Sequence, residues 1–166
     1  MKHEIERKFL VMNDDWRAGV TRMVRLRDGL VATFGAGKVR VRVALGAAGP
    51  ARAWVGLKGP RQGITRTEYE YEVPVAEAES MLAEFCPGRI VEKTRHLVPH
   101  AGLVWEVDVY DGFLAGVTYA EVELDHPGQT VVLPPWIGRE VTGQPQHSKR
   151  ALVAAAQQAA FGRLAT

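Results

Sequence analysis

The sequence predicts a mainly β protein of the α+β class: an eight-stranded antiparallel β-barrel with a charged lumen, helices packed outside and a C-terminal helix. Three observations lead to this prediction. Seven segments alternate between charged and apolar residues, which is the period of a β-strand. Short turns rather than long helices separate most of these segments, which favours antiparallel pairing. Fifteen of the forty charged residues fall on the charged faces of these segments.

The charged faces favour a barrel over a sandwich. A sandwich buries one apolar face of each sheet and leaves charged faces on its two outer surfaces. In a barrel the charged faces can converge on a wet lumen, while helices cover apolar outer residues such as Tyr69 and Tyr71. Such a lumen must be wide, because small barrels normally fill their interior with side chains.

The first segment has the clearest charged face. Glu4, Glu6 and Lys8 are spaced at i, i+2 and i+4, so a strand places them on one face at intervals of about 7 Å. The remaining same-face charges are Arg40 and Arg42; Lys58; Arg66, Glu68 and Glu70; Lys93 and Arg95; Glu106 and Asp108; and Glu121 and Glu123.

Turns and a short helix are predicted between the strands. Polar residues at 13–15 can cap a short helix through Trp16 and Arg17. Gly35 to Lys38 resembles a phosphate loop only superficially and is interpreted as a hairpin turn. Glycine clusters predict turns at 35–37, 46–50, 59–63 and 102.

Two longer helices are predicted. The first covers residues 75–85, after Pro74, with one apolar face formed by Ala78, Met81, Leu82 and Phe85. The second runs from Lys149 to about Leu164 and is capped by Ser148. Its predicted apolar stripe comprises Leu152, Ala155, Ala156, Ala159 and Ala160.

Composition limits the classes of function. The 166 residues fit a single domain spanning 1–166, and a net charge of +2 does not argue for nucleic acid. The single cysteine, Cys86, excludes an internal disulfide and agrees with a reducing cytoplasm, where we expect the protein to be located. We expect no membrane span and no signal peptide, since the chain opens with a charged strand.

The pairing of like charges on single strand faces points to ligands. Any one pair is most simply a solvated strand face, but charged faces recur in seven segments, and six of these carry a like-charged pair. Like charges repel unless opposite charges, metal ions or an anionic ligand lie between them. Acidic strands suit a hard divalent cation, and Arg-rich strands suit phosphate. The pattern therefore predicts a site for a metal-bound, multiply charged phosphate.

These residues resemble the CYTH superfamily, also called triphosphate tunnel metalloenzymes, and the resemblance covers nearly the whole chain. Its hallmark, Glu-x-Glu-x-Lys, is matched by Glu4, Glu6 and Lys8. The chain is most similar to the small bacterial, inorganic triphosphatase-like members. The blocks that carry the resemblance are EIERKFLV (4–11), KVRVRV (38–43), RTEYEYEVP (66–74), EKTRH (92–96), WEVDVY (105–110), AEVEL (120–124) and PWIGREVT (135–142).

The resemblance implies an eight-stranded tunnel that binds a linear triphosphate with Mg²⁺ or Mn²⁺. It implies Glu4 and Glu6 as catalytic residues that position and deprotonate water. The implied phosphate-binding residues are Lys8, Arg40, Arg42, Lys58, Arg66, Lys93 and Arg95. The implied metal ligands are Glu4, Glu6, Glu68, Glu70, Asp108, Glu121 and Glu123.

The chain departs from the family pattern at two places. Small members often have Gly-Tyr-Leu before the Val-Arg-Val-Arg strand, whereas residues 29–31 are Gly-Leu-Val. A usual Tyr-x-Asn segment before the last helix corresponds to His147-Ser148-Lys149.

Three functions are compatible with the sequence. The leading hypothesis is metal-dependent hydrolysis of a triphosphate, foremost inorganic tripolyphosphate to diphosphate and phosphate, with nucleoside triphosphates as further substrates. The alternatives are a class IV-type adenylate cyclase and a non-catalytic binder of polyphosphate or organic phosphates. The expected partner is a small-molecule triphosphate, not nucleic acid or membrane, and a homodimer is left open.

Overall fold

A computed structural model describes residues 3–46 and 49–164. Within these ranges the chain forms nine strands, two α-helices and three short 3₁₀ helices. The strands are β1 (His3–Val11), β2 (Arg22–Phe34), β3 (Gly37–Gly46), β4 (Arg52–Gln62), β5 (Thr65–Val73), β6 (Val91–His100), β7 (Leu103–Tyr110), β8 (Thr118–Glu123) and β9 (Ile137–Glu140). The helices are α1 (Val75–Phe85) and α2 (Lys149–Leu164), with 3₁₀ helices at Asp15–Gly19, Gly112–Leu114 and Pro145–His147.

The first eight strands close into an antiparallel barrel, which confirms the predicted fold. Their order is β5-β4-β3-β2-β6-β7-β8-β1, and β1 also pairs with β5. Closure occurs through the register pairs His3–Thr67, Glu4–Arg66 and Ile5–Thr65. The ninth strand, β9, pairs with β1 further along, at Phe9 and Val11.

The apolar faces of the strands point outward into two clusters. One is centred on Phe9, Trp105 and Val122 and is covered by Trp16 from the first 3₁₀ helix and by Trp136. The other packs Val41, Val43 and Ala53 against Ala78 and Leu82 of α1. The alternation predicted from the sequence thus gives the barrel wall an apolar outer face, which other segments cover, and a polar inner face.

Helix α1 has the predicted bounds, and its contact with the barrel is very close. Ala78 and Leu82 are buried, whereas Phe85, predicted on the same face, is 49% exposed. At Gly29 of β2 an added Cβ atom would lie 2.5 Å from a Leu82 methyl carbon and 2.6 Å from the Cys86 sulfur. A glycine at this position therefore allows α1 to approach the strand.

Helix α2 also has the predicted bounds, and the Ser148 hydroxyl accepts a hydrogen bond from the Ala151 N–H at 3.2 Å. Its packing differs from the prediction. Leu152, Val153 and Ala156 pack on a third cluster, whose members Val91, Tyr110 and Tyr119 share inner strand faces with lumen residues. The helix thus covers one end of the barrel, and the predicted stripe residues Ala155, Ala159 and Ala160 are exposed.

Two other expectations were wrong. The predicted turn at 59–63 is mostly strand: β4 continues to Gln62 through a register shift between Lys58 and Arg61. An irregularity of this kind, near Gly59 and Pro60, allows the pairing of β4 with β5 to continue while it changes the direction in which the side chains point. Helices also do not cover the outer tyrosines of β5, since Tyr69 is 40% and Tyr71 is 59% exposed.

Among the residues that the structure describes, there is no helix with the length and apolar character needed to cross a membrane.

Candidate active site

The barrel encloses a cavity of about 630 Å³. Twelve cationic and seven acidic side chains line it, although the whole chain carries a net charge of only +2. The cations are Lys8, Lys38, Arg40, Arg42, Lys58, Arg61, Arg66, Arg89, Lys93, Arg95, Lys149 and Arg150. The acids are Glu4, Glu6, Asp28, Glu68, Glu70, Glu121 and Glu123.

Thirteen of the fourteen residues predicted for the site line this cavity. The exception is Asp108, which is 0% exposed and lies beneath the lumen surface. Its carboxylate accepts a hydrogen bond from Lys93 and two from Arg95, the latter at 2.7 and 2.8 Å. These contacts account for its burial, and its role as a metal ligand stays a prediction.

Glu4 lies where β1 and β5 close the barrel. Lys58 donates a hydrogen bond to one of its oxygens at 2.7 Å, and Arg66 donates to the other. Burial alone would raise the pKa of Glu4, but the Arg66 hydrogen bond and the Lys58 charge outweigh it and hold that pKa below its ordinary value. Glu4 is therefore a carboxylate at any physiological pH.

Glu6, on the same face of β1, has a different environment. Its register partner on β8 is Glu123, and its oxygen accepts a hydrogen bond from Arg61 at 3.0 Å. Burial, together with the charges of Glu121 and Glu4, raises the pKa of Glu6 to about 7. In the metal-free protein this carboxyl group can therefore exchange a proton near neutral pH.

The opposite wall is built on β2 and β3. Arg42 binds Asp28 with two hydrogen bonds of 2.7 and 3.0 Å, and Lys149 from α2 donates to the same carboxylate at 2.5 Å. Arg40 donates to Glu70 of β5 at 2.6 Å. Asp28 is 2% exposed, so a buried acid connects two strands and the C-terminal helix.

Arg95 of β6 connects its strand to β7 and β8. Besides Asp108 it contacts Glu106 and donates to Glu121 of β8 at 3.1 Å. Glu121 in turn lies 3.4 Å from the Lys8 ammonium. Cations and carboxylates thus alternate around the lumen, and most lumen carboxylates have a cationic partner.

A second cavity of about 380 Å³ adjoins the first, and Arg42, Glu70 and Arg95 line both. Glu106 lines only the second, so this member of the charged strand pattern lies outside the main cavity.

Six charged residues that line the cavity were not predicted from the sequence: Asp28, Lys38, Arg61, Arg89, Lys149 and Arg150. Four of them show the reasons. Lys38 continues the alternation of Arg40 and Arg42 by one step, so the period could have found it. Arg61 is brought in by the register shift in β4, and Lys149 comes from a helix, so neither follows strand alternation. Asp28 is a single acid within a strand whose inner neighbours are Leu26 and Leu30.

Both departures from the family pattern lie at the cavity. Leu30, from the first of these departures, lines it. His147 accepts a hydrogen bond from Lys8 through its backbone carbonyl at 3.1 Å, and its ring nitrogen lies 2.8 Å from the Tyr119 hydroxyl oxygen. These contacts attach the segment before α2 to the inner faces of β1 and β8.

The donor chemistry of the lumen fits a hard divalent cation in part. Glu6 and Glu123 face each other across β1 and β8, and such paired carboxylates favour a cation between them. Within the described ranges, however, no three His, Cys, Asp or Glu side chains are placed to hold a metal together. A bound cation would therefore need phosphate oxygens or waters to complete its shell, which is the usual arrangement for Mg²⁺.

Comparison with known proteins agrees with this geometry. The CYTH domain family matches residues 2–153 of the chain. The chain belongs to the CYTH family. An inorganic triphosphatase of Acetivibrio thermocellus is 38% identical over 92% of this chain and 94% of its own. An inorganic triphosphatase of Nitrosomonas europaea is 35% identical over 90% of this chain and 95% of its own.

A solved crystal structure of an inorganic triphosphatase shares the CYTH fold. It covers 92% of this chain and 95% of its own, with 32% identity and a TM-score of 0.61.

Proposed function

We propose that this CYTH protein is a metal-dependent triphosphatase that hydrolyses inorganic tripolyphosphate to diphosphate and phosphate. The observation that carries the proposal is the lumen charge: twelve cations against seven acids line one cavity of the barrel. A site with this excess of positive charge needs a multiply charged anion to balance it. The two relatives named inorganic triphosphatases support the choice of reaction.

In the proposed reaction, water attacks a terminal phosphorus, the bridging P–O bond breaks, and diphosphate leaves. Glu4 and Glu6 orient the attacking water, and a carboxylate of this pair takes up its proton. Lys58, Arg66 and Arg95 lie where they can hold the non-bridging oxygens, on which charge is spread in the transition state.

A divalent cation, Mg²⁺ or Mn²⁺, would neutralise charge on the phosphates when bound. We assign it to the acidic side of the lumen, where Glu6 is the register partner of Glu123 and where burial and the nearby Glu121 charge raise the pKa of Glu6. The wider predicted ligand set, with Glu68, Glu70 and Asp108, stays a prediction, as do the cytoplasmic location and the homodimer.

One assay separates this function from its alternatives. The protein is incubated with Mg²⁺ and, separately, with tripolyphosphate, ATP or thiamine triphosphate, and phosphate and cyclic AMP are measured. We expect rapid phosphate release from tripolyphosphate. Formation of cyclic AMP from ATP would identify a cyclase instead, and tight tripolyphosphate binding without turnover would identify a binding protein.

A further inference from the structure

The lysines of this chain are concentrated in the lumen. Five of the six, all except Lys2, line the main cavity. Four of these have a carboxylate within 4 Å: Lys8 with Glu121, Lys58 with Glu4 and Glu68, Lys93 with Asp108, and Lys149 with Asp28. Within the described part of the chain, Lys38 has no ion pair and donates no hydrogen bond to a protein group.

The place of Lys38 in the sheet makes this lack of a partner costly. It lies on the inner face of β3, two residues before Arg40, and its register partner on β4 is Lys58. Like charges directly opposite each other on a sheet are destabilising. Free protein therefore accumulates positive charge at this point of the lumen, and an anion placed there would relieve it.

The charges around Lys38 come from four strands. Arg40 on its own strand, Lys58 on β4 and Arg66 on β5 repel its charged form, and Glu4 on β1 is the opposing carboxylate. On β2 its register partner is Thr33, which is uncharged. Burial, followed by the charges of Arg66, Lys58 and Arg40, lowers the pKa of Lys38 to about 8.

We propose that Lys38 is a further substrate-binding residue, whose ammonium group binds a phosphate oxygen of the triphosphate. The proposal rests on the proposed function, because it takes a linear triphosphate as the ligand of the lumen. It has a consequence for pH. A phosphate anion beside Lys38 favours the protonated amine, so above about pH 8 triphosphate binding is accompanied by proton uptake.

Two substitutions test this role. Lys38→Met removes the charge, and Lys38→Arg retains a charge that does not titrate in this range. For Lys38→Met we expect the KM for tripolyphosphate to rise about tenfold with kcat changed less than about threefold, as for an interaction equally strong in ground and transition states. Between pH 7 and 9.5, kcat/KM of the unchanged protein should fall relative to Lys38→Arg.

Proton uptake gives a readout that a merely structural role would not affect. Calorimetric titration of metal-free protein with tripolyphosphate at pH 8.5, in two buffers of different ionisation enthalpy, should show proton uptake by the unchanged protein. Both Lys38 variants should lack this component of the uptake. Arg25→Met, at an exposed position outside the cavity, is the control for loss of one positive charge and should behave like the unchanged protein.

The outcomes separate this inference from the proposed function. If Lys38→Met keeps both the KM and the proton uptake of the unchanged protein, Lys38 is not a substrate-binding residue. If the unchanged protein binds tripolyphosphate without turnover and Lys38→Met weakens that binding, the role of Lys38 stands and hydrolysis does not. If the unchanged protein binds no tripolyphosphate, both proposals are overturned.

Discussion

Glu4 and Glu6 show how strongly the environment decides the chemistry of one residue type. They lie two positions apart on the same face of β1, yet the pKa of Glu4 is lowered and that of Glu6 is raised to about 7. Glu4 touches Lys58 and Arg66, whereas Glu6 faces Glu123 and has Arg61 as its cationic partner. In the metal-free protein Glu4 is therefore a permanent carboxylate, whereas Glu6 can exchange a proton near neutral pH.

Glu4→Gln tests the catalytic assignment. We expect turnover of tripolyphosphate to fall at least about a hundredfold, the scale of a lost catalytic group. Binding should be largely retained, because the substitution frees Lys58 and Arg66 for phosphate. Steady-state kinetics and calorimetric binding measure the two effects separately.

Glu72→Gln is the matched control for this substitution. Glu72 pairs with Arg52 on the exterior, where both side chains are more than half exposed. Its loss should leave turnover unchanged. A Glu4→Gln protein with the rate of the unchanged protein would remove Glu4 from the mechanism.

At the scale of elements, one buried carboxylate connects β2, β3 and α2. Asp28 accepts hydrogen bonds from Arg42 and Lys149 and is almost fully buried. Burial would raise the pKa of Asp28, but these two cations outweigh it and hold that pKa well below its ordinary value. The position of α2 over the lumen therefore depends on an ion pair as well as on apolar packing.

Asp28→Asn should destabilise the protein, because it leaves two cations without their shared partner. We expect the free energy of unfolding in urea at pH 7 to fall by about 3 kcal/mol. Since the folded-state pKa is lowered, the contribution of Asp28 is present above the unfolded value of about 3.9 and is lost as pH falls through the folded-state value. The difference from the unchanged protein should therefore shrink in strong acid.

The exposed Arg52–Glu72 pair again provides the comparison, since Glu72→Gln should change stability by less than about 1 kcal/mol. Tripolyphosphate should restore part of the stability lost in Asp28→Asn by binding the freed cations. If Asp28→Asn is as stable as Glu72→Gln, the ion pair does not hold α2.

The strands and their inward charges could be predicted because alternation is a local property. Residues 4, 6 and 8 or 40 and 42 share a face in any regular strand, whatever the tertiary structure. Arg61 could not be found in this way, since the irregularity after Lys58 breaks the period. The covering of the lumen by α2 also escaped prediction, because a helix rich in alanine gives little sign of which surface it meets.

At the scale of the whole molecule, the ends of the sheet meet where the proposed chemistry takes place. Strands β2 and β3 share ten register pairs, whereas β1 and β5 share three among the described residues. The middle one of these three is Glu4–Arg66, a catalytic and a phosphate-binding residue of the proposal. The short seam between β1 and β5 is thus held partly by side chains that the substrate also contacts.

Tripolyphosphate should therefore strengthen the seam more than the rest of the barrel. The phosphate would bridge Arg66 and Lys58, and the seam's backbone bond from the Glu6 N–H to the Ile64 carbonyl, at 3.0 Å, should open less often. Hydrogen exchange of metal-free protein, in which the proposed reaction does not proceed, should slow at residues 3–6 and 64–67 on adding tripolyphosphate. The β6–β7 hairpin around Gly102 serves as the internal control, because its register pairs are distant from those that carry the lumen charges. Equal slowing in both regions would indicate general stabilisation, and unchanged exchange at the seam would show that closure does not depend on the ligand.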